Sequence, residues 1–241
     1  IDSLNAQKLR SGRCWEVAVM SSVFCRVAYL RSTAAPSILA DLKVEVAGKK
    51  AQSILPDGVV KILESDQRPQ SSEEPLLHLE VVETRKVEVD DALDEMRTFK
   101  PRKTPALCIF DPSDNQHTRY DVYLVYYPKV EAASAQNSKA DESNVEIVGL
   151  QMKADDGLPT AKQPPHPDIQ KSFVLRGAKV DPGTSAASES GWIVVSAARR
   201  NKILTPSFAQ LLALEYDAKK VEQTADDDDA AAASESDGEE D

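Results

Sequence analysis

The sequence predicts an α+β fold, a twisted antiparallel sheet of about seven strands flanked by N-terminal and C-terminal helices. Three observations carry this. Apolar residues alternate with charged ones through Leu77, Leu79 and Val81 and on to Val87 and Val89, the period of a half-exposed strand. Two apolar runs, 106–110 and 120–127, flank the turn Asp111-Pro112-Ser113-Asp114-Asn115 and read as a hairpin with a longer loop. Near the end, Thr205 and Pro206 stand where a helix N-cap and first helical position belong. They precede a stripe of Phe208, Leu211, Leu212 and Tyr216, and Lys219 and Lys220 sit where they favour the helix macrodipole.

The 241 residues allow one domain or two small ones. Residues 1–35 read as a presequence or upstream segment that is removed. Met20 opens a stretch with no acid before Asp41, two arginines (Arg26, Arg31), small hydroxyl residues and apolar positions able to line one helix face, the composition of an organelle transit peptide. The competing reading makes 15–30 a buried helix or strand of the fold.

A single α+β domain then spans 36–224. Its first element is a helix over 37–52, because Pro36 suits a first helical turn and apolar positions 38, 42 and 46 have helical spacing. The alternative is a strand through Leu42, Val44 and Val46, which their β-branching favours. After the turn Pro56-Asp57-Gly58, residues 59–64 and the alternating segment up to Val89 read as half-exposed strands. Asp90 caps a short helix through Leu93, Met96 and Phe99, which Pro101 closes. On the hairpin's second strand, Tyr120, Val122, Leu124 and Tyr126 share one face. Mobile loops near 131–143 and 154–168 bracket a strand at 145–152, and another strand covers 172–177. Residues 192–198 suit a strand, or the start of a helix with Trp192, Val195 and Arg199 on one side.

Charge is segregated along the chain. Of the formal −11, residues 225–241 hold nine acids and no base, residues 1–31 are net basic, and the middle is mildly acidic. The nine acids are Asp226, Asp227, Asp228, Asp229, Glu235, Asp237, Glu239, Glu240 and Asp241. Such a tail cannot bury enough apolar area to offset ordering, roughly 1–2 kcal/mol per residue for the backbone, so it reads as a disordered arm that attracts basic partners. Cys14, Cys25 and Cys108 are odd in number and without CxxC spacing, which excludes a disulfide framework and a four-cysteine zinc site and points to a reducing compartment. No stretch approaches the roughly 18 apolar residues of a membrane-spanning helix.

Catalytic signatures are sparse. His78, His117 and His166 share no metal-ligand spacing, and Cys108 reads as a core residue. GxSxG, GxxxxGK[ST] and GxGxxG are absent, and Asp90-Asp91 and Asp155-Asp156 are sequence neighbours that diverge onto solvated surface. A non-enzymatic protein without cofactor or metal is expected. The candidate binding residues are the nine tail acids. A second candidate set, Arg199, Arg200 and Lys202 with Tyr126 as a stacking face, would contact nucleic acid.

The order of these segments resembles the mitochondrial acidic matrix protein family, also called the mitochondrial glycoprotein family. The resemblance runs over roughly 37–222. It comprises the helix of ILADLKVEVAGKKAQ, the strands of GVVKILES and LLHLEVVETRKVEV, the pair in PALCIFDPSDNQHTRYDVYLVYYP and the acidic loop EAASAQNSKADES. The strand NVEIVGLQM and the helical end RRNKILTPSFAQLLALEYDAKK complete it. Where the family ends in an aromatic-rich stretch, Glu222 here runs into the aspartate tail. The resemblance implies a matrix protein, a homotrimeric ring and chaperone-like binding of basic proteins such as ribosomal proteins or import clients. It also implies support of mitochondrial translation, ribosome assembly or oxidative phosphorylation. The chain is also similar to whirly-type single-strand nucleic-acid-binding proteins in the order of ILPDGVVKILES, KVEVDDALDEMRTF, CIFDPSDN and GWIVVSAARRNKILTPSFAQLLALEY, although the acidic balance opposes phosphate binding. A third reading is an accessory subunit of a large mitochondrial assembly.

Overall fold

The computed structural model describes residues 12–33, 35–46, 50–65, 75–86, 88–112, 119–129, 145–153, 164–176, 186–187 and 191–210. The loop expected at 131–143, the part 154–163 of the loop expected at 154–168, the stripe beyond Gln210 and the acidic tail lie outside the described residues.

Helix α1 (Gly12–Ser32) opens the fold. Val19, Val23, Val27 and Leu30 recur along one of its faces and are buried, each contributing about 1.5–3 kcal/mol of apolar burial. This helix lies within 1–35, the segment read as a removable presequence ahead of a domain starting at residue 36, and its buried face packs into the core.

Next comes α2 (Pro36–Asp41), after which β1 (Lys43–Val44) pairs antiparallel with β2 (Gln52–Ser53). The helix over 37–52 is thus cut short after one turn, since the β-branched alternation of Val44 and Val46 prevails. The segment 59–64, expected as a strand, is instead within α3 (Asp57–Glu64). Val59 and Leu63 stand one turn apart and are buried together, while Asp57 and Lys61 match the helix dipole at the two ends.

The main sheet contains β3 (His78–Thr84), β4 (Ala106–Pro112), β5 (Val122–Tyr127), β6 (Glu146–Lys153), β7 (Lys171–Arg176) and β9 (Ile193–Val195), in the order β3-β4-β5-β6-β7-β9. The two-residue β8 (Ala186–Ala187) adds to the outer side of β9, so there are six full strands where about seven were expected. The antiparallel expectation is corrected as well. Three pairings, β3 with β4, β6 with β7 and β7 with β9, are parallel. The others are antiparallel, including the predicted hairpin with Ala106 opposite Tyr127. Alternation fixes which residues share a face but not strand direction, which the crossovers decide. Helix α4 (Val89–Thr98) is one such crossover, joining β3 to β4, and its N-cap is Glu88 rather than Asp90.

The helices cover both faces, giving the α+β class. Leu107, Ile109, Leu124, Val148, Leu150, Phe173 and Val195 face α1, α2, α3 and α5 (Ala197–Ile203). Cys108, Phe110, Tyr123, Val125, Val174 and Trp192 face α4. Tyr120 also belongs to this second face. The chain bends at Asp121, so Tyr120 departs from the parity it was expected to share with Val122, Leu124 and Tyr126.

Candidate functional site

The predicted basic cluster falls on α5. After the apolar strand β9, Ser196 ends the extended run and caps the helix, its Oγ accepting the Arg199 backbone N–H at 3.3 Å. Residues 192–198 are thus strand and then helix, so each of the two expectations fits a part. Arg200 is buried, its Nε and Nη2 donating to Asn201 Oδ1 at 3.1 and 2.9 Å, and burial pulls the guanidinium below its ordinary pKa. Arg199 Nη2 lies 3.7 Å from Glu45 Oε1, and Lys202 is exposed.

Tyr126 sits elsewhere, half-buried on β5 with its ring against Gly58 of α3, where a Cβ would collide with it. Glu146, its cross-strand partner, accepts the Gly58 N–H through Oε2 at 2.8 Å and so supplies the anion that the α3 N-terminus favours. Burial, and then Glu146, push the Tyr126 phenol above its ordinary pKa. Among the described residues no hydrogen bond or ion pair joins Tyr126 to the arginines of α5. Arg200 is buried and the Tyr126 ring is partly covered by Gly58, which reduces what either could give to phosphate contact or base stacking.

The two arginines that gave α1 the composition of a transit peptide are also engaged. Arg26 Nε donates to the Ile203 carbonyl at 2.7 Å and its Nη2 to the carbonyls of Lys202 and, at 2.8 Å, Leu204. One guanidinium therefore closes the C-terminus of α5, with Asp41 Oδ2 3.4 Å from Nη1. Ser22 Oγ accepts the Thr205 N–H at 3.2 Å, which seats the start of the helix predicted at Thr205-Pro206 beside α1. Arg31 Nη1 donates to the Leu77 carbonyl at 3.0 Å.

Sequence reasoning missed a polar seam on the second face. Tyr120 OH lies 2.9 Å from Ser172 Oγ and accepts the His166 backbone N–H at 2.8 Å. The His166 ring meets Asp90 Oδ1 through Nε2 at 2.9 Å, and its Nδ1 accepts the Asp168 N–H at 3.3 Å. Arg97 of α4 donates to Asp168 at 2.8 Å and holds that carboxyl below its usual range. Both imidazole nitrogens are committed, and Ser172 faces a phenol rather than the imidazole, so the triad logic of a serine nucleophile is not assembled here. The seam pins residues 164–170 onto α4 and β5. No local motif announces it, because the partners lie 46 to 76 positions apart in sequence.

Cys108 is buried beneath α4, and burial with the nearby Glu80 carboxylate pushes its thiol up to about 12, far from a reactive thiolate. Among the described residues no group of three histidine, cysteine, aspartate or glutamate side chains stands ready to hold a metal, and no helix is long and apolar enough to cross a membrane. His78 is half-buried on β3, and His117 lies outside the described residues. In comparisons with known proteins, no family model, curated protein or solved structure matches this chain.

Proposed function

We propose that the protein is a non-enzymatic acidic binding protein, in which the folded body anchors the tail of nine carboxylates and the tail captures basic protein segments. The charge segregation carries this reading, since nine acids without a base occupy the last 17 residues while the remainder is close to neutral. A dense anionic arm raises the local concentration of cationic partners and accelerates their encounter, and its affinity falls as salt rises. Support also comes from the basic residues themselves. Arg26, Arg31, Arg199 and Arg200 contact groups of the fold, which weakens the nucleic-acid reading. The resemblance adds a proposed mitochondrial matrix location, with α1 retained in the mature fold.

Polylysine titrated into the full chain should bind in a salt-sensitive way, and deleting residues 225–241 should weaken that binding at least tenfold. Unchanged binding after the deletion overturns the proposal. Tight single-strand DNA binding that Arg199→Ala weakens would favour the nucleic-acid reading instead.

A further inference from the structure

Strand β3 is an edge of the main sheet. One hydrogen bond fixes how its backbone is turned: the His78 N–H donates to the Pro105 carbonyl at 2.9 Å. Peptide groups alternate along a strand, so those of His78, Glu80, Val82 and Thr84 face β4 and those of Leu79, Val81 and Glu83 face outward. Among the described residues nothing takes these outward N–H and C=O groups. Upstream, Arg31 closes the rim by holding the Leu77 carbonyl. Val81, midway along the strand, is 61% exposed, the highest value among the large hydrophobic side chains of the described residues. An open edge with an exposed apolar centre is a template for a further strand.

We propose that β3 pairs antiparallel with β3 of a second copy of the chain, about a two-fold axis through Val81, so that two sheets become one. Antiparallel ladders join outward-facing residues to outward-facing residues, and the register centred on Val81 obeys this. It sets Leu79 opposite Glu83 and Val81 opposite its own copy on one set of rungs, and Glu80 opposite Val82 and His78 opposite Thr84 on the other. Each copy donates the N–H groups of Leu79, Val81 and Glu83 and accepts on the same residues. The two exposed valines cover each other, and no two acids face directly. Sliding one rung either way loses this, since one shift sets Glu80 against Glu80 and the other leaves Val81 against Glu83. The interface uses one patch on both subunits and closes after two copies.

Light scattering on the full chain should give the mass of two 26.3 kDa subunits. Val81→Glu should return the mass to one subunit with the circular dichroism spectrum unchanged, and Val81→Ile should keep the dimer. In a Cys14→Ser, Cys25→Ser background, Val81→Cys should form an 81–81 disulfide under mild oxidation. A monomer at every concentration, a mass of three subunits, a dimer that survives Val81→Glu, or a dimer without the 81–81 link would each overturn the proposal.

Discussion

The two faces of the sheet differ in how they hold their helices. Under α1, α2, α3 and α5 the core is largely aliphatic, and polar side chains at its margin reach across the chain. Arg26 caps α5 from a position 177 residues away, Glu146 caps α3, and Lys171 Nζ donates to the Leu55 carbonyl and meets Asp57 Oδ1, both at 2.8 Å. Under α4 the core is aromatic and carries its polar atoms inside. Tyr120 packs 5.1 Å from Trp192 and 5.3 Å from Tyr123, centroid to centroid, while Phe99 meets Phe110 edge-on. Tyr127 OH donates to the Met96 carbonyl at 2.5 Å. Four helices give the first face ample apolar surface, so its polar groups serve to close helix ends. Among the described residues the second face has one ten-residue helix and a loop, and large rings fill the space beside them.

This contrast predicts that the second face loses most from a single truncation. Trp192→Ala removes a fully buried ring and should cost about 3–5 kcal/mol in chemical denaturation. On the first face, Arg26→Ala leaves the α5 carbonyls without their cap and should cost about 1.5–3 kcal/mol, the range for hydrogen bonds to a charged group. Should Arg26→Ala prove the costlier, the long-range ties would outweigh the aromatic packing.

A smaller effect separates the faces by pH. Burial raises the phenols of Tyr120, Tyr123 and Tyr127 above their ordinary value of 10. The folded chain therefore keeps them neutral where the unfolded chain begins to ionise. Their contribution is intact below pH 10 and is lost as pH rises from 10 through the raised folded values. Tyr127→Phe should cost about 0.5–1.5 kcal/mol at neutral pH through the lost bond to Met96. It should also make the alkaline fall in stability shallower, as followed by melts between pH 9 and about 11 with tyrosinate absorbance. An alkaline fall identical to that of the parent chain would remove Tyr127 from the account.

Much of this fold was legible before the structure. The hairpin of β4 and β5 follows from two apolar runs about a proline-containing turn, α4 from a stripe closed by Pro101, and the core position of Cys108 from the tendency of free cysteine to be buried. The failures share a cause. Residues 59–64 were expected in a strand because a short apolar run follows the turn Pro56-Asp57-Gly58, yet Val59 and Leu63 find a common burial site only when the segment is helical. The basic residues Arg26, Arg199 and Arg200 carry the composition of a targeting or phosphate-binding surface. Composition cannot reveal that their partners are the carbonyls of α5, Glu45 and Asn201.

By itself the sequence determined the local features: the α+β class, most of the segments that become elements, and the charge imbalance between body and tail. These depend on periodicity, turn chemistry and composition, which are properties of neighbours along the chain. Tertiary structure alone decided strand direction, the incorporation of α1 into the core, the seam of Tyr120, Ser172, His166 and Asp90, and the open edge at Val81. Each of these depends on which distant segments come together to bury apolar area and satisfy buried polar groups, information that no short window of residues contains.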